Sequence, residues 1–390
     1  EQMSDPTILV LNSGSSSIKF DLYDGDAETV KGQVTGLGAK PWIFIENCVD
    51  GTCKDEALSS DAGQSHKTAL GALLSYLKDL TSVTRIDAVG HRVVHGGHLH
   101  SRPRVIDNAL LAELETLIPL APLHQPHNLA GVTAAKSAFP QAIQVACFDT
   151  AFHRHHPWVN DTFALPDSYY DEGIRRYGFH GLSYEYICEH LKERRPSAHD
   201  GRLVIAHLGN GASMCAIKNG KSIGSTMGFT ALDGLPMGTR CGQLDPGVVL
   251  YLLTTKGMSP EDVSDLLYRE SGLKGLSGIS QDMRALSEST SPEAAKAIDY
   301  FVFRVRRELG ARAAVLSGLD TLVFTGGIGE NATTIRERVC EELDWLGLKI
   351  DPDKNDAGET DISSTDSRVS VLVIPTNEEA MIRRHTARFL

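Results

Sequence analysis

The stretch NSGSSSIK, residues 12–19, concentrates phosphate-binding groups in one tight turn. The hydroxyls of Ser15–Ser17, the backbone N–H groups around Gly14 and the ammonium of Lys19 can donate hydrogen bonds to phosphate oxygens, and Gly14 adds no side-chain bulk. Serine and glycine are also common in turns for purely local reasons, so a structural role remains open for the turn taken alone. Phosphate binding is the chemistry that these residue types and their spacing allow.

Four further ionisable side chains lie at strand ends or in loops. Arg92 follows a strand pattern in GHRVVHGG, Asp149 ends another in CFDTAFH, His180 follows an aromatic residue in RRYGFHGLSY, and Arg240 lies in GLPMGTRCGQLDPG. A lone arginine or aspartate is more often a surface ion-pair residue, and a lone histidine beside Phe179 is more often structural. Arg240 fits a structural role least well, because a long loop with few apolar residues usually has a function.

Histidine is frequent in two short segments, which raises the alternative of a zinc site. The histidines concerned are His91, His95, His98, His100, His153, His155 and His156. The first two would share one face of a helix, but the paired valines and Gly96-Gly97 favour a strand that runs into a loop. A histidine zinc site is therefore the less favoured interpretation.

The phosphate-binding turn joins two strand patterns. Residues 8–11 are apolar, and after the turn Ile18, Phe20 and Leu22 alternate with polar or amphipathic residues, as in a half-buried strand. A similar arrangement recurs in LVIAHLGNGASMCAIKNGKSIG, residues 203–224, where Gly211 aligns with Gly14 and Ser213 with Ser16. Two such hairpins predict duplicated α/β domains that face one cleft and contribute one turn each.

Other elements follow from hydrophobic periodicity. Asn219-Gly220 predicts the turn of a further hairpin. In TLVFTGGIGENA, residues 321–332, a strand ends at two glycines and a helix is expected to start near Ala332. The patterns predict helices over 66–80, 108–121, 127–139, 183–194, 292–316 and 377–390, and strands over 87–94, 143–149 and 370–374. Alternating strands and helices indicate an α/β architecture.

The composition is that of an ordinary globular protein with more than one domain. The chain has 390 residues, of which 41% are apolar and 23% charged, and its net charge of -12 disfavours nucleic acid as a partner. Seven scattered cysteines do not form a disulfide framework, so a cytoplasmic location is expected. No leader pattern and no apolar run of about 18 residues is evident, so no membrane association is expected.

Two common nucleotide-binding motifs do not fit. The nearest approach to a Walker A motif is CAIKNGKS, with Cys215 where the first glycine is required, and its Asn-Gly turn fits a hairpin better. A Rossmann G-x-G-x-x-G with a following ribose-binding acid is also missing. A nucleotide phosphate would have to bind at the paired hairpin turns.

Eight stretches together give the sequence a family resemblance. They are LNSGSSSIKF, HRVVHGG, CFDTAFH, RRYGFHGLSYEY, HLGNGASMCAI, GLPMGTRCGQLDPG, FTGGIGENA and IPTNEEAMI. In order and spacing the chain resembles the acetate kinase family, the short-chain acyl kinases of the actin, Hsp70 and sugar-kinase superfamily, over essentially its whole length. The resemblance implies two duplicated ribonuclease-H-like α/β domains around a central nucleotide cleft. The N-terminal acyl-kinase domain would comprise residues 5–150 plus 380–390, and the C-terminal nucleotide-binding domain 151–379.

The resemblance also implies a reaction and a set of residues. The reaction is reversible phosphoryl transfer between ATP and acetate, giving ADP and acetyl phosphate, in a homodimer that uses Mg²⁺, with Mn²⁺ as a substitute. The implied catalytic residues are Asp149, His180 and Arg240, and Asn12 and Glu378 would bind the metal. Arg92 would bind the substrate carboxylate, and its alkyl end would contact Val94, Leu123, Phe179 and Ala231. The implied nucleotide-binding residues are Ser15, Ser17, Lys19, His207, Leu208, Gly209, Asn210, Gly211, Asp282, Met283, Arg284, Gly327, Ile328, Gly329, Glu330 and Asn331.

These residue types suit that reaction. A carboxylate that attacks a γ-phosphate brings two anions together, so positioning and charge neutralisation are the main problems. A fatty-acid carboxylate is already ionised at pH 7, so no general base is needed and Asp149 is expected to orient Arg240 or the metal shell. Domain closure is expected because each half contributes one phosphate-binding turn.

The sequence departs from the family pattern beside Arg240. The run FTALDG has Ala231 where the family has proline in Phe-Thr-Pro-Leu-Glu-Gly, and the smaller side chain leaves room for about one more methylene. Propionate is therefore an expected second substrate. Cys241 and Gln243 also replace common family residues, and an inert Cys241 is expected over a reactive one.

Three alternatives remain at this point. A kinase that prefers propionate or butyrate would share every phosphate motif and differ only in the alkyl pocket. A non-catalytic ATP-dependent switch would bind ATP without a carboxylate, and Arg92, His180 and Arg240 together argue against it. A metal-dependent hydrolase would use the histidine segments and would not need ATP.

Overall fold

The computed structural model describes residues 5–390, which form two compact units. The first unit runs up to Arg154 and also includes Asn377–Leu390, and the second is His155–Thr376. Among the described residues, no helix is both long and apolar enough to span a membrane. Because the second unit ends at Thr376, the chain returns to the first unit at Asn377, just before Glu378.

The first unit is built on one eight-stranded sheet. Its elements in chain order are β1 Thr7–Ser13, β2 Ile18–Asp24, β3 Ala27–Thr35, β4 Trp42–Asn47, β5 Cys53–Ala57, α1 His66–Leu80, β6 Ala88–Val93, β7 Arg104–Val105, α2 Asn108–Glu115, α3 Gln125–Ala138 and β8 Ile143–Phe148. The strand order is β5-β4-β3-β2-β1-β6-β8-β7. β1 pairs antiparallel with β2 and parallel with β6, which in turn pairs parallel with β8.

The second unit contains a five-stranded sheet and most of the helices. Its elements are α4 Trp158–Asp161, α5 Asp167–Asp171, α6 Gly181–Arg194, α7 Pro196–Asp200, β9 Arg202–Leu208, β10 Ala212–Lys218, β11 Lys221–Ser225, α8 Pro246–Thr254, α9 Pro260–Arg269, α10 Gly272–Ser277, α11 Met283–Glu288, α12 Pro292–Val315, β12 Thr321–Thr325, α13 Gly326–Asn331, α14 Thr333–Cys340, α15 Pro352–Asp356 and β13 Ser370–Val373. The chain then closes with α16, Glu378–Ala387, in the first unit.

The two sheets share one topology. The second has the order β11-β10-β9-β12-β13, which repeats the β3-β2-β1-β6-β8 part of the first. In both, an antiparallel three-stranded meander is extended by two strands parallel to its first strand. The duplicated α/β fold predicted from the two hairpins is confirmed. Polar residues that follow β1, β6 and β8 lie at one edge of the sheet, where α/β proteins bind ligands.

The two hairpin turns differ in length, which corrects the sequence alignment between them. The last strand pair before the first turn is Ser13 with Ile18, whereas in the second it is Leu208 with Ala212. The next pairs are Asn12 with Lys19 and His207 with Ser213. In register, Ser213 therefore corresponds to Lys19 and not to Ser16. Its side chain is buried in the second sheet.

Most predicted elements are present, with two local differences. The helix expected over 108–121 ends at Glu115, and a short 3₁₀ turn over Ile118–Leu120 follows, because Pro119 has no N–H to continue a helix. The helix expected near Ala332 is preceded by α13, which starts at Gly326 directly after β12. Gly326 has a φ of 79° and so permits this abrupt transition from strand to helix.

The half-buried pattern predicted for β2 is wrong at Asp21 and Tyr23, which are only 4% and 3% exposed. α16 packs against β1 and β6, and its Glu379 forms an ion pair with Lys19 of β2. Burial, followed by the negative charge of Glu379, raises the pKa of Asp21 to about 7. The polar face of this strand is therefore an interior face.

Asp21→Asn is expected to stabilise the protein at pH 8 by up to about 4 kcal/mol, because each tenfold change in proton affinity is worth about 1.4 kcal/mol. A carboxyl whose pKa is raised by folding stabilises the folded state while it is protonated. Its contribution to the free energy of unfolding is therefore complete below the unfolded pKa and is lost as the pH rises through about 7. Urea unfolding at pH 4 and pH 8 tests this prediction. Asp24→Asn, at an exposed position of the same strand, is the matched control. A wild-type advantage at pH 8 would contradict it.

Candidate active site

The first turn is a hydrogen-bonded loop with its serine hydroxyls at the surface. The N–H of Gly14 donates to the carbonyl of Ser17 at 2.9 Å, and Nε2 of His66 lies 2.7 Å from the carbonyl of Gly14. Ser15 is exposed and Ser17 is partly exposed, so both hydroxyls can meet a ligand. Lys19 lies beside them in an ion pair with Glu379, and this partner is absent from the sequence prediction.

Arg92, which is partly exposed, forms an ion pair with the buried Asp149 at the ends of β6 and β8. Nε and Nη2 of Arg92 donate to Oδ2 of Asp149 at 3.0 and 2.7 Å. Burial lowers the pKa of Arg92, but Asp149 and then Glu378 outweigh it, so the pKa is raised and the charge is permanent. Arg92 is thus one partner of Asp149 in this unit, and the role expected from the sequence, orienting Arg240 or the metal shell, stays a prediction.

The predicted metal ligands also belong to the first unit. Asn12 is near the end of β1, and Glu378 begins α16 with its carboxylate 3.9 Å from Nε of Arg92. The side chain of Glu378 is 17% exposed, so its carboxylate is accessible while remaining close to the Arg92–Asp149 ion pair. Asn12 and Glu378 supply one amide oxygen and one carboxylate.

Two amides of α3, which sequence reasoning missed, tie the strand ends together. Nδ2 of Asn128 donates to the carbonyl of Ser13 at 2.9 Å, and its Oδ1 accepts from the N–H of Val94 at 3.0 Å. Gln125 makes the equivalent pair of bonds to the backbone of His95. Asn128 therefore sets the spacing between the turn after β1 and the segment after Arg92. The stretch APLHQPHN contained both amides, but only the sheet order shows what they bridge.

His180 is fixed in an unusual backbone conformation at the start of α6. Its φ of 55° lies in the left-handed region, which costs about 1–2 kcal/mol for a residue with a side chain. Its Nδ1 lies 2.8 Å from Oγ of Ser213, and its ring stacks on that of His207 with centroids 4.2 Å apart. Nδ1 of His207 lies 2.8 Å from Oγ of Ser183. Both imidazoles are thus oriented by buried hydroxyls.

Arg240 and His180 approach Gly211 in the turn of the second hairpin. A Cβ placed on Gly211 would lie 2.8 Å from Nη2 of Arg240 and 3.3 Å from Nε2 of His180. Nη1 of Arg240 donates to the carbonyl of Ala231 at 2.7 Å, which fixes the guanidinium. Beside it, burial raises the pKa of the Cys241 thiol, so little thiolate forms near neutral pH.

Gly211→Ala is expected to lower kcat about 10- to 100-fold with little loss of stability. The new methyl group would meet the ends of two hydrogen-bonded side chains and no backbone atom, so a shift of these ends leaves the fold intact. It would nevertheless occupy the space beside Nη2 of Arg240. Steady-state kinetics and thermal unfolding measured together test this separation. Gly310→Ala, in α12 where a Cβ meets nothing within 4 Å, is the control. Full activity in the Gly211 variant would show that Arg240 and His180 do not act there.

The second unit contains a cavity of about 700 Å³ that includes eight of the predicted nucleotide-binding residues. These are Gly209, Asn210, Asp282, Met283, Arg284, Gly327, Ile328 and Asn331. Its lining also includes Ser287, Glu288 and Ala332–Ile335, which the sequence prediction missed. The missed residues continue α11 and begin α14, so the helical patterns next to the predicted motifs were the available indication.

The other predicted nucleotide-binding residues of this unit lie outside that lining. Leu208 is fully buried, and Nη1 of Arg336 donates to the carbonyls of Gly329 and Glu330 in α13, both at 3.0 Å. Arg336 is itself 1% exposed and also bonds Asn355. Sequence reasoning missed this buried arginine, which fixes the C-terminal end of α13 beside the cavity.

The four predicted alkyl-pocket residues are divided between the units. Val94 is buried next to the Asn128 contact and Leu123 is partly buried in the first unit. In the second unit Phe179 is buried and Ala231 is partly buried, with its carbonyl on Arg240. Val94 and Leu123 thus belong to the first unit, and Phe179 and Ala231 to the second.

The chain is similar to known proteins over nearly its whole length. The profile of the Acetokinase family matches residues 7–384. The acetate kinase of Methylocella silvestris is 54% identical over 98% of both chains, and that of Nitrobacter hamburgensis is 51% identical over 98% of this chain and 96% of its own. Among solved structures, a Porphyromonas gingivalis acetate kinase has a TM-score of 0.89 at 38% identity, and a Francisella tularensis propionate kinase 0.92 at 37% identity. Each covers 98% of this chain and 99% of its own.

Proposed function

We propose, from the premise that the chain belongs to the acetokinase family, that it is an acetate kinase that also accepts propionate. The reaction is the reversible transfer of the γ-phosphoryl group of ATP to a short-chain carboxylate. The observation that carries the proposal is the partly buried Arg92–Asp149 ion pair in the same unit as a serine-rich turn. It presents a fixed, permanently charged guanidinium, the group best suited to bind a carboxylate.

The chemical step needs no proton transfer from the substrate. One carboxylate oxygen forms a bond to the γ-phosphorus while the bond from that phosphorus to the β,γ-bridging oxygen breaks, which leaves ADP and an acyl phosphate. The carboxylate is ionised at pH 7, so Asp149 serves to orient Arg92 and not to remove a proton. Charge neutralisation and in-line positioning are what the protein must supply.

The roles of the residues follow from their positions. In the first unit, Arg92 binds the carboxylate, and Ser15, Ser17 and Lys19 bind phosphate oxygens. In the second, Arg240 and His180 stabilise the phosphoryl group in transfer next to Gly211. The cavity lined by Asp282–Arg284 and Gly327–Ile328 binds the adenosine. We assign the two units to the acyl-kinase and nucleotide-binding roles on this basis.

Asn12 and Glu378 are proposed to hold Mg²⁺. Within residues 5–390, no group of three or more His, Cys, Asp or Glu side chains is arranged to hold a metal ion, so the protein alone offers no complete cage. One amide oxygen and one carboxylate fit Mg²⁺, which keeps several waters and shares its coordination with nucleotide phosphates. When bound, the ion would neutralise charge on the β- and γ-phosphates.

An acyl-phosphate trap tests the proposed function directly. The protein is incubated with Mg²⁺ and ATP plus acetate, propionate or butyrate, and hydroxylamine converts any acyl phosphate to a hydroxamate. Hydroxamate with acetate and propionate supports the proposal, and a strong preference for butyrate would support the longer-chain kinase instead. ATP binding with no hydroxamate from any acid would overturn it and favour an ATP-dependent switch.

Ala231→Pro is expected to shift selectivity towards acetate. The ring carbons would fill the space beside the alkyl end, so the ratio of kcat/KM for propionate to that for acetate should fall by about tenfold, the value of roughly one methylene. The carbonyl that accepts from Arg240 is retained in proline, so activity with acetate should persist. Ala231→Gly is the opposite control, and an unchanged ratio in both variants would place the alkyl group elsewhere.

The assembly and location are proposed as a cytoplasmic homodimer. In α8, the apolar residues Val248–Leu253 include none that is buried, and Leu250 and Tyr251 are 62% and 52% exposed. A contiguous apolar helix face of this kind fits an interface with a second copy. Light scattering of the wild type and of a Leu250→Glu variant measures the oligomeric state. Within residues 5–390 no cysteine forms a disulfide, which fits a reducing compartment.

A further inference from the structure

We propose that Tyr184 and Ser213 form a hydroxyl relay that fixes the tautomer of His180, so that Nε2 carries the proton and donates a neutral hydrogen bond to the phosphoryl group. The inference rests on the proposed function and deepens it. It assigns two positioning residues that act through His180 and do not touch the substrate.

The relay is a continuous chain of buried polar atoms. Oγ of Ser213 lies 2.8 Å from Nδ1 of His180 and is also hydrogen-bonded to the hydroxyl of Tyr184. Ser213 and Tyr184 are completely buried, and His180 is 9% exposed. Ser213 lies on β10 and Tyr184 on α6, one turn after His180, so two elements of the second unit hold the ring. Solvent does not compete for these bonds.

The relative acidity of the Tyr184 and Ser213 hydroxyls sets the direction of the hydrogen bonds in the relay. A phenol is more acidic than an aliphatic alcohol, so Tyr184 is the stronger donor and Ser213 the better acceptor of that pair. The single hydroxyl proton of Ser213 is then donated to Nδ1 of His180. A neutral imidazole whose Nδ1 accepts must carry its proton on Nε2.

The nitrogen that carries the proton is the one at the reaction site. Nε2 of His180 and Nη2 of Arg240 approach the same point beside Gly211. The charged and titratable groups that face the ring include Arg240 from its loop, His207 stacked from β9, and Tyr184 from α6. A positive charge on His180 would be repelled by the guanidinium of Arg240. Arg240 therefore supplies the charge, and His180 supplies a directed neutral donor.

Nitrogen-15 NMR of the histidine-labelled full-length protein tests the relay without any turnover. The resonances of His180 are assigned by their loss in His180→Asn. We expect the Nε2–H tautomer in the wild type at neutral pH, and a mixture of tautomers in Ser213→Ala. The Nδ1–H tautomer in the wild type would overturn the inference. The expected tautomer in a protein without carboxylate kinase activity would support the relay while the proposed function failed.

Kinetics separate positioning from a merely structural role. Ser213→Ala is expected to lower kcat about 10- to 100-fold, with the KM values for ATP and acetate changed less than about twofold, because the donor is misdirected and not removed. Ser213→Thr retains the hydroxyl and most of the activity. Should the alanine variant fail to fold, Tyr184→Phe keeps the test open, with a smaller fall in kcat expected. Ser225→Ala is the matched control, because its buried Oγ has no hydrogen-bond partner among residues 5–390. An unchanged kcat in both relay variants would overturn the inference.

Discussion

Arg92→Lys is expected to lower kcat/KM for acetate by about 10²- to 10³-fold, or roughly 3–4 kcal/mol, while KM for ATP changes little. Lysine keeps the charge, but a single ammonium cannot bind Asp149 and a substrate carboxylate in the planar geometry of a guanidinium. The loss should appear first as a raised KM for acetate, because this contact already exists in the substrate complex. Initial rates over a grid of acetate and ATP concentrations measure both constants.

The test of Arg92 needs controls because its partner, Asp149, is buried. Arg92→Ala would leave an uncompensated carboxylate in the interior, at a cost of about 3–5 kcal/mol in stability, so a loss of activity there would be ambiguous. The pair Arg92→Ala with Asp149→Asn removes that charge, and the double variant should regain stability but not activity. Arg85→Lys, in an exposed ion pair of the same unit, should behave as the wild type. Normal acetate kinetics in Arg92→Lys would mean that the carboxylate binds elsewhere.

Local patterns determined how much of the fold could be predicted. The helix over 66–80 begins and ends as expected, because its apolar residues recur every three or four positions and Ser65 with Thr68 forms a capping box. β2 was predicted half-buried, because alternation shows which residues share a face but not that α16, more than 350 positions later, covers the other face. Asp21 is therefore buried despite its position in the pattern.

The candidate site shows the same division between local and long-range information. Its residue types and motifs were recognisable in the sequence. The bond between Arg92 and Asp149, however, joins residues 57 positions apart at the ends of neighbouring parallel strands, so predicting it requires the sheet order. The side chain of Asn128 bridges segments that only the β1–β6 pairing brings together. Ser213 was aligned with a turn serine, and only the strand register shows that its hydroxyl lies inside, on His180. Partners that depend on tertiary pairing could not be predicted from spacing.

Arg240→Lys is expected to lower kcat about 10³-fold with KM for ATP within a factor of about three, although the charge is conserved. The two terminal nitrogens of Arg240 serve different ends, since Nη1 bonds the carbonyl of Ala231 and Nη2 reaches the space beside Gly211. One ammonium can satisfy only one of these contacts. The effect falls on kcat because the planar arrangement of phosphoryl oxygens that Arg240 is proposed to bind exists only in the transition state.

The matched control for Arg240 lies on the surface of the same unit. Arg338→Lys changes an arginine that is paired with Asp299 outside the site, and it should leave kcat unchanged. Single-turnover measurement with saturating ATP separates the phosphoryl-transfer step from product release. If Arg240→Lys kept the wild-type single-turnover rate, a point charge would suffice. The two separate contacts of the Arg240 guanidinium would then have no catalytic role. A large fall with unaltered ATP binding would show that the fixed direction of the guanidinium, and not its charge alone, lowers the barrier.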